Sequence, residues 1–338
     1  MHKHHRALGL ATAPPVGVSS AAEIAKLRPV QPVTLLRPHA ARRAARFFIE
    51  KFPGRSLYAV KANPSPELLE LLWAEGVTHY DVASLGEVKL VAETLPGATM
   101  CFMHPVKAEE AIGEAYFTHG VRTFSLDTLD ELDKILRATA TGGEPATDLN
   151  LVDIVDVGGG FPSTYPGMEP PPLETYFDVI HRTFEALPIS YSAELWCEPG
   201  RALCAEYASV LVRVEKRRGA ELYINDGAYG ALFDAAHIGW RYPVALVREE
   251  DSSVRPMAYS FYGPTCDDLD HMAGPFELPA DVQPGDYIEV GMLGAYGCAM
   301  RTVFNGFTVG ERVIVEDEPM ASLYGAVAAT RRSNVVKL

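Results

Sequence analysis

Cysteine is scarce and unpatterned. The chain of 338 residues holds five, Cys101, Cys197, Cys204, Cys266 and Cys298, an odd number without CxxC spacing. Neither a disulfide framework nor a structural zinc site is expected, and a reducing, cytoplasmic setting fits best. Basic charge is also short: 30 Lys and Arg face 44 Asp and Glu, a formal net charge of -14. That balance argues against nucleic acid or an anionic membrane as the main partner. No uninterrupted apolar run of about 18 residues occurs, and the apolar stretch in MHKHHRALGLATAPP is too short for a signal peptide. His2, His4 and His5 read as a disordered terminus rather than a metal site. Solenoid repeats and low-complexity tracts do not stand out. What remains is a soluble globular chain, 48% hydrophobic, long enough for one large or two medium domains.

From Ser56 the sequence alternates short apolar runs with segments of helical period, the pattern of parallel strands and crossover helices. SLYAVK precedes a helix with Ser65 as N-cap, Pro66 at its first position and Leu68, Leu69, Leu71 and Leu72 on one face. THYDVA, TMCFM and RTFSL follow, with helices from about Ser84, about Lys107 and Asp127. After a gap come VDIVDV, a helix from Leu173 to Ala186, and AELWCEPG. The character then changes to strands divided by turns: SVLVRVEK, ELYIND, VALV, MAYSFYG, GDYIEVG, TVFNGF and RVIVED. The expected organisation is a β/α barrel domain over residues 38–207, and an all-β domain over 208–338 joined by residues 1–37 with PVTLLR. Six barrel strands are legible, whereas a closed parallel barrel has about eight, so about two strand and helix units are absent. The join, TDLNLVDIVDV around Asn150 and Leu151, runs on like one strand grafted to another.

Several stretches carry chemistry-bearing residues. Lys61 closes an apolar strand. Such a lysine either reaches out to solvent or stands at the C-terminal mouth of a parallel barrel, where its amine can attack an aldehyde. DVGGGFP runs from Asp156 into Gly158, Gly159 and Gly160; successive glycines form either a tight turn or a backbone cradle for an anion. In CEPGR, Glu198, Gly200 and Arg201 end another strand; the carboxylate and guanidinium pair with each other or hold a pyridinium nitrogen and a phosphate. Cys266 sits beside Asp267 and Asp268 in a Gly/Pro loop, outside the usual core setting of a lone cysteine.

Taken together, YAVKANP, DVASLGEV, DVGGGFP, EPGR, NDGAYG, GPTCDDLD, GAYG and FNGF resemble, in order, the fold-type III pyridoxal-phosphate decarboxylases, most closely ornithine decarboxylases. The resemblance covers nearly all of the chain after Val33. It implies an alanine-racemase-like (β/α)8 barrel of TIM type plus a C-terminal all-β domain, and pyridoxal 5'-phosphate as cofactor, held covalently by Lys61. Asp81 and Glu87 match acidic positions near the cofactor. Gly158, Gly159, Gly160, Arg201 and Tyr296 match phosphate-binding positions, with Gly200 in the same EPGR motif. Glu198 matches the partner of the ring nitrogen, which makes the ring an electron sink. Cys266 matches the residue that protonates the substrate's Cα, and Asp267 the acid that binds its distal ammonium; Asp234 looks like a second such acid. The GPTCDDLD loop is implied to come from the partner subunit of a homodimer.

The implied substrate is a diamino acid, L-ornithine yielding putrescine, with L-lysine second, because an Asp pair suits a free distal amine. The sequence departs from the family in the gap. The absent units carry the histidine that stacks on the cofactor ring, a phosphate-binding serine and an arginine, and His104, His119 and His181 match none of these motifs. Either residues are omitted there or the protein lacks them, in which case the barrel does not close and catalysis is lost. A catalytically inactive relative that binds partners, or a diaminopimelate-type decarboxylase, are the alternatives.

Overall fold

The computed structural model describes residues 20–149, 154–250, 252–307 and 310–325. His2, His4, His5 and the join at Asn150 and Leu151 lie outside them. Two compact units are formed, one by residues 1–40, 163–170 and 205–338, the other by 41–162 and 171–204.

The second unit is a curled parallel sheet with crossover helices. Its strands are β2 (Arg55–Ala59), β3 (His79–Val82), β4 (Thr99–Phe102), β5 (Thr123–Phe124), β6 (Ile154–Asp156) and β7 (Glu194–Cys197), in the order β5-β4-β3-β2-β7-β6. Between them lie α3 (Pro66–Ala74), α4 (Leu85–Thr94), α5 (Glu109–His119), α6 (Leu129–Thr139) and α7 (Leu173–Glu185). The β2–β7 pairing is the contact that joins the first and last strands of a barrel. The expected arc of six strands is therefore present, and among the described residues no pairing closes it between β5 and β6, where the two absent units would stand.

Local sequence explains these elements. Ser84 Oγ accepts the Glu87 N–H at 3.2 Å to start α4, and Thr128 Oγ1 accepts the Glu131 N–H at 3.2 Å to start α6. The helix expected from about Lys107 starts two residues later, at Glu109. Preceding β2, α2 (Pro38–Lys51) buries Ala41, Ala44, Ala45 and Phe48, a spacing of three and four that makes one apolar stripe. Phe48 packs edge to face on Phe161 and Phe177, at 5.4 and 5.3 Å between ring centroids. Phe161 directly follows the three glycines, so this aromatic cluster anchors the downstream end of that turn.

The first unit is a mixed sheet. Its long strand β8 (Ala208–Arg218) pairs with β1 (Val33–Leu36), β9 (Glu221–Ile224) and β13 (Tyr287–Val290). The sheet continues through β10 (Val244–Val247) beside β13, β11 (Pro256–Tyr262) beside β9, β12 (His271–Pro279) beside β11, and β14 (Arg312–Ile314) beside β1. One expected strand is corrected, and one strand not among those expected is present. TVFNGF is not a strand: Phe304–Gly306 form a tight turn with Asn305 at φ 52°, outside extended space. His271–Pro279 is a strand despite its internal Gly274 and Pro275.

Candidate active site

The parallel unit gathers its polar residues where strands run out. β2 stops at Ala59, and Lys61 sits in a single 3-10 turn, Val60–Ala62, just beyond the strand rather than within it. The turn is locked by its surroundings. Tyr58 Oη donates to the Asn63 carbonyl at 3.0 Å, while Asn63 Oδ1 accepts the Ser65 N–H at 3.1 Å and its Oγ–H at 2.7 Å. EPGR packs directly against it: Ala59 N–H donates to the Pro199 carbonyl at 3.2 Å. A Cβ on Gly200 would stand 3.0 Å from the Ala62 Cβ and 3.3 Å from that of Ala59. Small residues at 59, 62 and 200 thus let the two motifs touch.

Ala59 pairs with Asp81 across β2 and β3. The Lys61 ammonium comes 3.6 Å from Asp81 Oδ2, with the lysine half-exposed and the aspartate buried. Burial still outweighs that ion pair and holds the Asp81 carboxyl above the usual carboxylate range; the charge of Asp156 adds to the rise. Glu87 accepts the Ala83 N–H at 2.7 Å and is likewise raised by burial. Glu198, at the end of β7, is pushed up to about 7 by burial, then by Asp156 and Asp81, with Lys61 opposing. Beneath them Cys101 and Cys197 are buried, and burial lifts each thiol to about 12, so both are neutral core groups.

The glycine turn follows β6. Gly158 and Gly160 have φ of 74° and 82°, and nothing lies within 4 Å of where a side chain on either would begin. Gly159 differs: a Cβ there would meet the Glu198 carbonyl at 2.9 Å. Asp156 Oδ1 accepts the Gly158 N–H at 2.7 Å, and the Gly158 carbonyl accepts the Glu198 N–H at 2.9 Å. Arg201 opens the short helix α8 (Arg201–Cys204) after Gly200. Two open left-handed glycines, a guanidinium, a half-exposed amine and a cluster of raised carboxylates form a donor set that fits a phosphorylated, basic aldehyde.

The mixed-sheet unit carries the remaining residues. Its GPTCDDLD loop joins β11 to β12 and is built on Asp270, which is buried and accepts from Ala228 N–H at 2.7 Å and from Thr265 N–H and Oγ1 at 3.0 and 2.7 Å. A Cβ on Gly227 or Gly263 would fall 2.1 Å from Asp270 Oδ1, so both positions require glycine. At the tip Cys266 is exposed. Asn305 Nδ2 donates toward its Sγ at 3.9 Å. Asp267 accepts from Tyr229 Oη at 2.7 Å and from Leu269 N–H at 2.9 Å, and the backbone donor, then the phenol, holds its carboxyl below the usual range. Tyr229 also packs on Phe304, 4.5 Å between centroids. NDGAYG, GPTCDDLD and FNGF therefore converge, although some 75 residues separate the first from the last.

Asp234 lies in the first turn of α9 (Phe233–His237), and Tyr296 adopts φ 61° in GAYG. His119 ends α5 and His181 sits on α7, each near a glutamate of its own helix, so neither stands at a strand end. Sequence reasoning gave no role to Asp156, Tyr229, Asn305 or Asp270, although all four fall within motifs it had singled out. Among the described residues, no cluster of His, Cys, Asp and Glu is arranged for a metal, and no helix is long and apolar enough to cross a membrane.

The family described as "Pyridoxal-dependent decarboxylase, pyridoxal binding domain" matches residues 39–151. A lysine/ornithine decarboxylase of Selenomonas ruminantium is 26% identical over 338 residues, covering 78% of this chain and 84% of its own length. An ornithine decarboxylase of Schizosaccharomyces pombe is 25% identical, covering 77% of this chain and 78% of its own. The crystal structure of lysine/ornithine decarboxylase complexed with putrescine from Vibrio vulnificus superposes with a TM-score of 0.72 at 25% identity, over 88% of this chain and 99% of its own. The names of further matches extend to arginine and diaminopimelate decarboxylases and an antizyme inhibitor.

A half-barrel with a pyridoxal binding domain and a second, mixed sheet is thus the class. The chain is a relative of the fold-type III pyridoxal-phosphate decarboxylases and is related to ornithine decarboxylase, with pyridoxal 5'-phosphate as its cofactor.

Proposed function

We propose that the chain decarboxylates a diamino acid, L-ornithine before L-lysine, as a homodimer. The observation that carries this reading is the convergence of Lys61, Asp81, Glu198 and the Gly158–Gly160 turn at the strand ends of one parallel sheet. Lys61 would hold the cofactor's aldehyde carbon through its amine, and Asp81, 3.6 Å away, keeps that amine oriented. Gly158, Gly159, Gly160, Arg201 and Tyr296 would take the phosphate, in a turn where no atom lies within 4 Å of a Cβ position at Gly158 or Gly160 and where Asp156 holds the Gly158 N–H. Glu198 would face the ring nitrogen, with Glu87 and Gly200 shaping the pocket. Bound pyridoxal phosphate supplies an electron sink for the bond that breaks to carbon dioxide.

The mixed-sheet residues then select and finish. Asp267, kept ionised by Tyr229 and the Leu269 N–H, would pair with the substrate's distal ammonium, and Asp234 would be a second anion for it. A distal carboxylate would be repelled there, which disfavours diaminopimelate. Cys266 would deliver its thiol proton to the substrate's Cα. Its exposure suits a loop offered to a second chain, as does Leu269 at 63% exposure. The open edges of the sheet favour a second reading, a decarboxylase relative that binds partners without catalysis.

The test is purification, borohydride reduction and intact mass, followed by carbon dioxide release from ornithine, lysine and diaminopimelate. Cofactor trapped on Lys61 with release from ornithine supports the enzyme. No trapped cofactor supports the binding protein, and preference for diaminopimelate refutes the role given to Asp267.

A further inference from the structure

Asp156 belongs to none of the roles above, yet three observations meet on it. It ends β6, the strand at one edge of the arc, whose only strand partner among the described residues is β7. Its Oδ1 accepts the Gly158 N–H at 2.7 Å, an Asx turn that sends the chain out of the strand into the left-handed Gly158. Its Oδ2 is buried with no hydrogen-bond partner among the described residues.

Resting on the reading that this site holds pyridoxal phosphate, we propose that Asp156 is a positioning residue for it. Through the Gly158 N–H and the Gly158–Glu198 backbone bond, its carboxylate fixes the glycine turn and Glu198 in one arrangement. The chain of contacts is short. Asp156 holds Gly158, the Gly158 carbonyl holds the Glu198 N–H at 2.9 Å, and Gly159 packs on the Glu198 carbonyl so closely that a methyl group would clash. The phosphate cradle and the ring-nitrogen partner are therefore one backbone unit with one side-chain anchor. With no strand on the far side of β6 among the described residues, that anchor replaces the support a neighbouring strand gives in a closed barrel.

Asp156 also acts by charge. The groups facing Glu198 are Asp156 on β6, Asp81 on β3 and Lys61 beyond β2, with the neutral Cys197 preceding it in β7; the two aspartates raise the Glu198 carboxyl and Lys61 lowers it. Geometry and charge separate in two variants. Asp156→Asn keeps an oxygen for the Gly158 N–H and loses the charge, whereas Asp156→Ala loses both.

The experiment titrates wild type, D156N and D156A with pyridoxal phosphate and with unphosphorylated pyridoxal, following cofactor absorbance from pH 5 to 9, without substrate. D156A should bind pyridoxal phosphate about tenfold more weakly, the loss of one charge-assisted hydrogen bond, with pyridoxal unaffected. D156N should stay near wild type in phosphate preference, while the pH below which binding falls away moves to lower pH. Equal affinity in D156A and wild type overturns the proposal, and so does a D156N that falls as far as D156A. Should D156A not fold, D156N decides alone: retained phosphate preference with the acid shift supports the assignment, and the absence of either overturns it. Wild type binding neither compound overturns the functional reading with it, whereas wild type binding normally while the variants fail these expectations overturns only the role of Asp156.

Discussion

Glu198 shows how a half-buried carboxylate at a strand end registers in stability. Burial and the aspartates raise its pKa to about 7 in the fold, against 4.5 in the open chain. The folded form therefore favours the neutral acid. The stability this contributes is complete below pH 4.5 and is lost as pH rises through about 7. Discounted for its part-exposed position, the penalty at pH 8 is on the order of 1 kcal/mol. Glu198→Gln should raise the melting temperature of the cofactor-free protein at pH 8 and leave it unchanged at pH 5. An equal gain at both would remove the titration from the explanation. His79 works against this trend. Burial lowers it to about 4, so the open chain takes up its proton first as pH falls from 6.5, and stability is lost in that window. Lys61, the glycines, Glu198 and Arg201 stood out in the sequence because charged or bare residues followed apolar runs. Asp156 and Asp270 did not, because their partners are mostly backbone N–H groups, one of them 42 residues away.

Two elements carry the site by packing alone. Phe161, Phe48, Phe52 and Phe177 form an edge-to-face cluster with centroids 5.3 to 6.3 Å apart, closing the glycine turn from below. Phe177→Ala should cost about 3 kcal/mol in a urea titration, the range for a buried aromatic, and a loss under 1 kcal/mol would mean that the cluster is not a packed unit. In the other sheet, Gly227→Ala places a methyl group against Asp270 Oδ1 and should displace the Thr265–Asp270 turn. The readout is faster alkylation and protease nicking at Cys266 than in wild type, with the far-ultraviolet dichroism unchanged; wild-type rates would show that the loop does not depend on that glycine. Element starts were legible to within two residues where caps were present: α4 follows Ser84 as expected, and α6, expected from Asp127, starts at Leu129 behind Thr128. They were obscured where special backbone entered. Asn305 turns an apparent strand into a tight turn, and Gly274 with Pro275 disguises a real strand as a break. The amphipathic α2 lay before the first strand considered, and its alanines gave a weak apolar signal.

At the scale of the whole molecule the question is whether an arc of six parallel strands stands open. Counting strands in the sequence located the gap, since it fell between RTFSL and VDIVDV, the two strands that form the sheet's edges. What the count left open was whether the ends would find each other; among the described residues they do not, and there β5 pairs only with β4 while β6 pairs only with β7. The consequences are visible in burial. Leu57 and Tyr58 in the central strand are fully buried, whereas Ile154, Val155 and Phe124 at the edges are half-buried. Beyond them Leu126 and Val157 stand 42% and 39% exposed. Parallel strands are normally covered on both faces and paired on both sides, so these edges should be the first part of the unit to open. In hydrogen exchange, peptides spanning Thr123–Leu126 and Ile154–Val157 should exchange at least about a hundredfold faster than those spanning Leu57–Val60 and Tyr80–Val82. Equal protection would mean that another backbone covers both edges and that the sheet is not open in solution. Fast edges in a protein that still traps its cofactor on Lys61 would show that an unclosed barrel suffices to hold it: Lys61, Asp81 and Glu198 stand on the β3-β2-β7 core of the arc, and the Gly158–Gly160 turn beside the open seam is tied to that core by the Glu198 N–H.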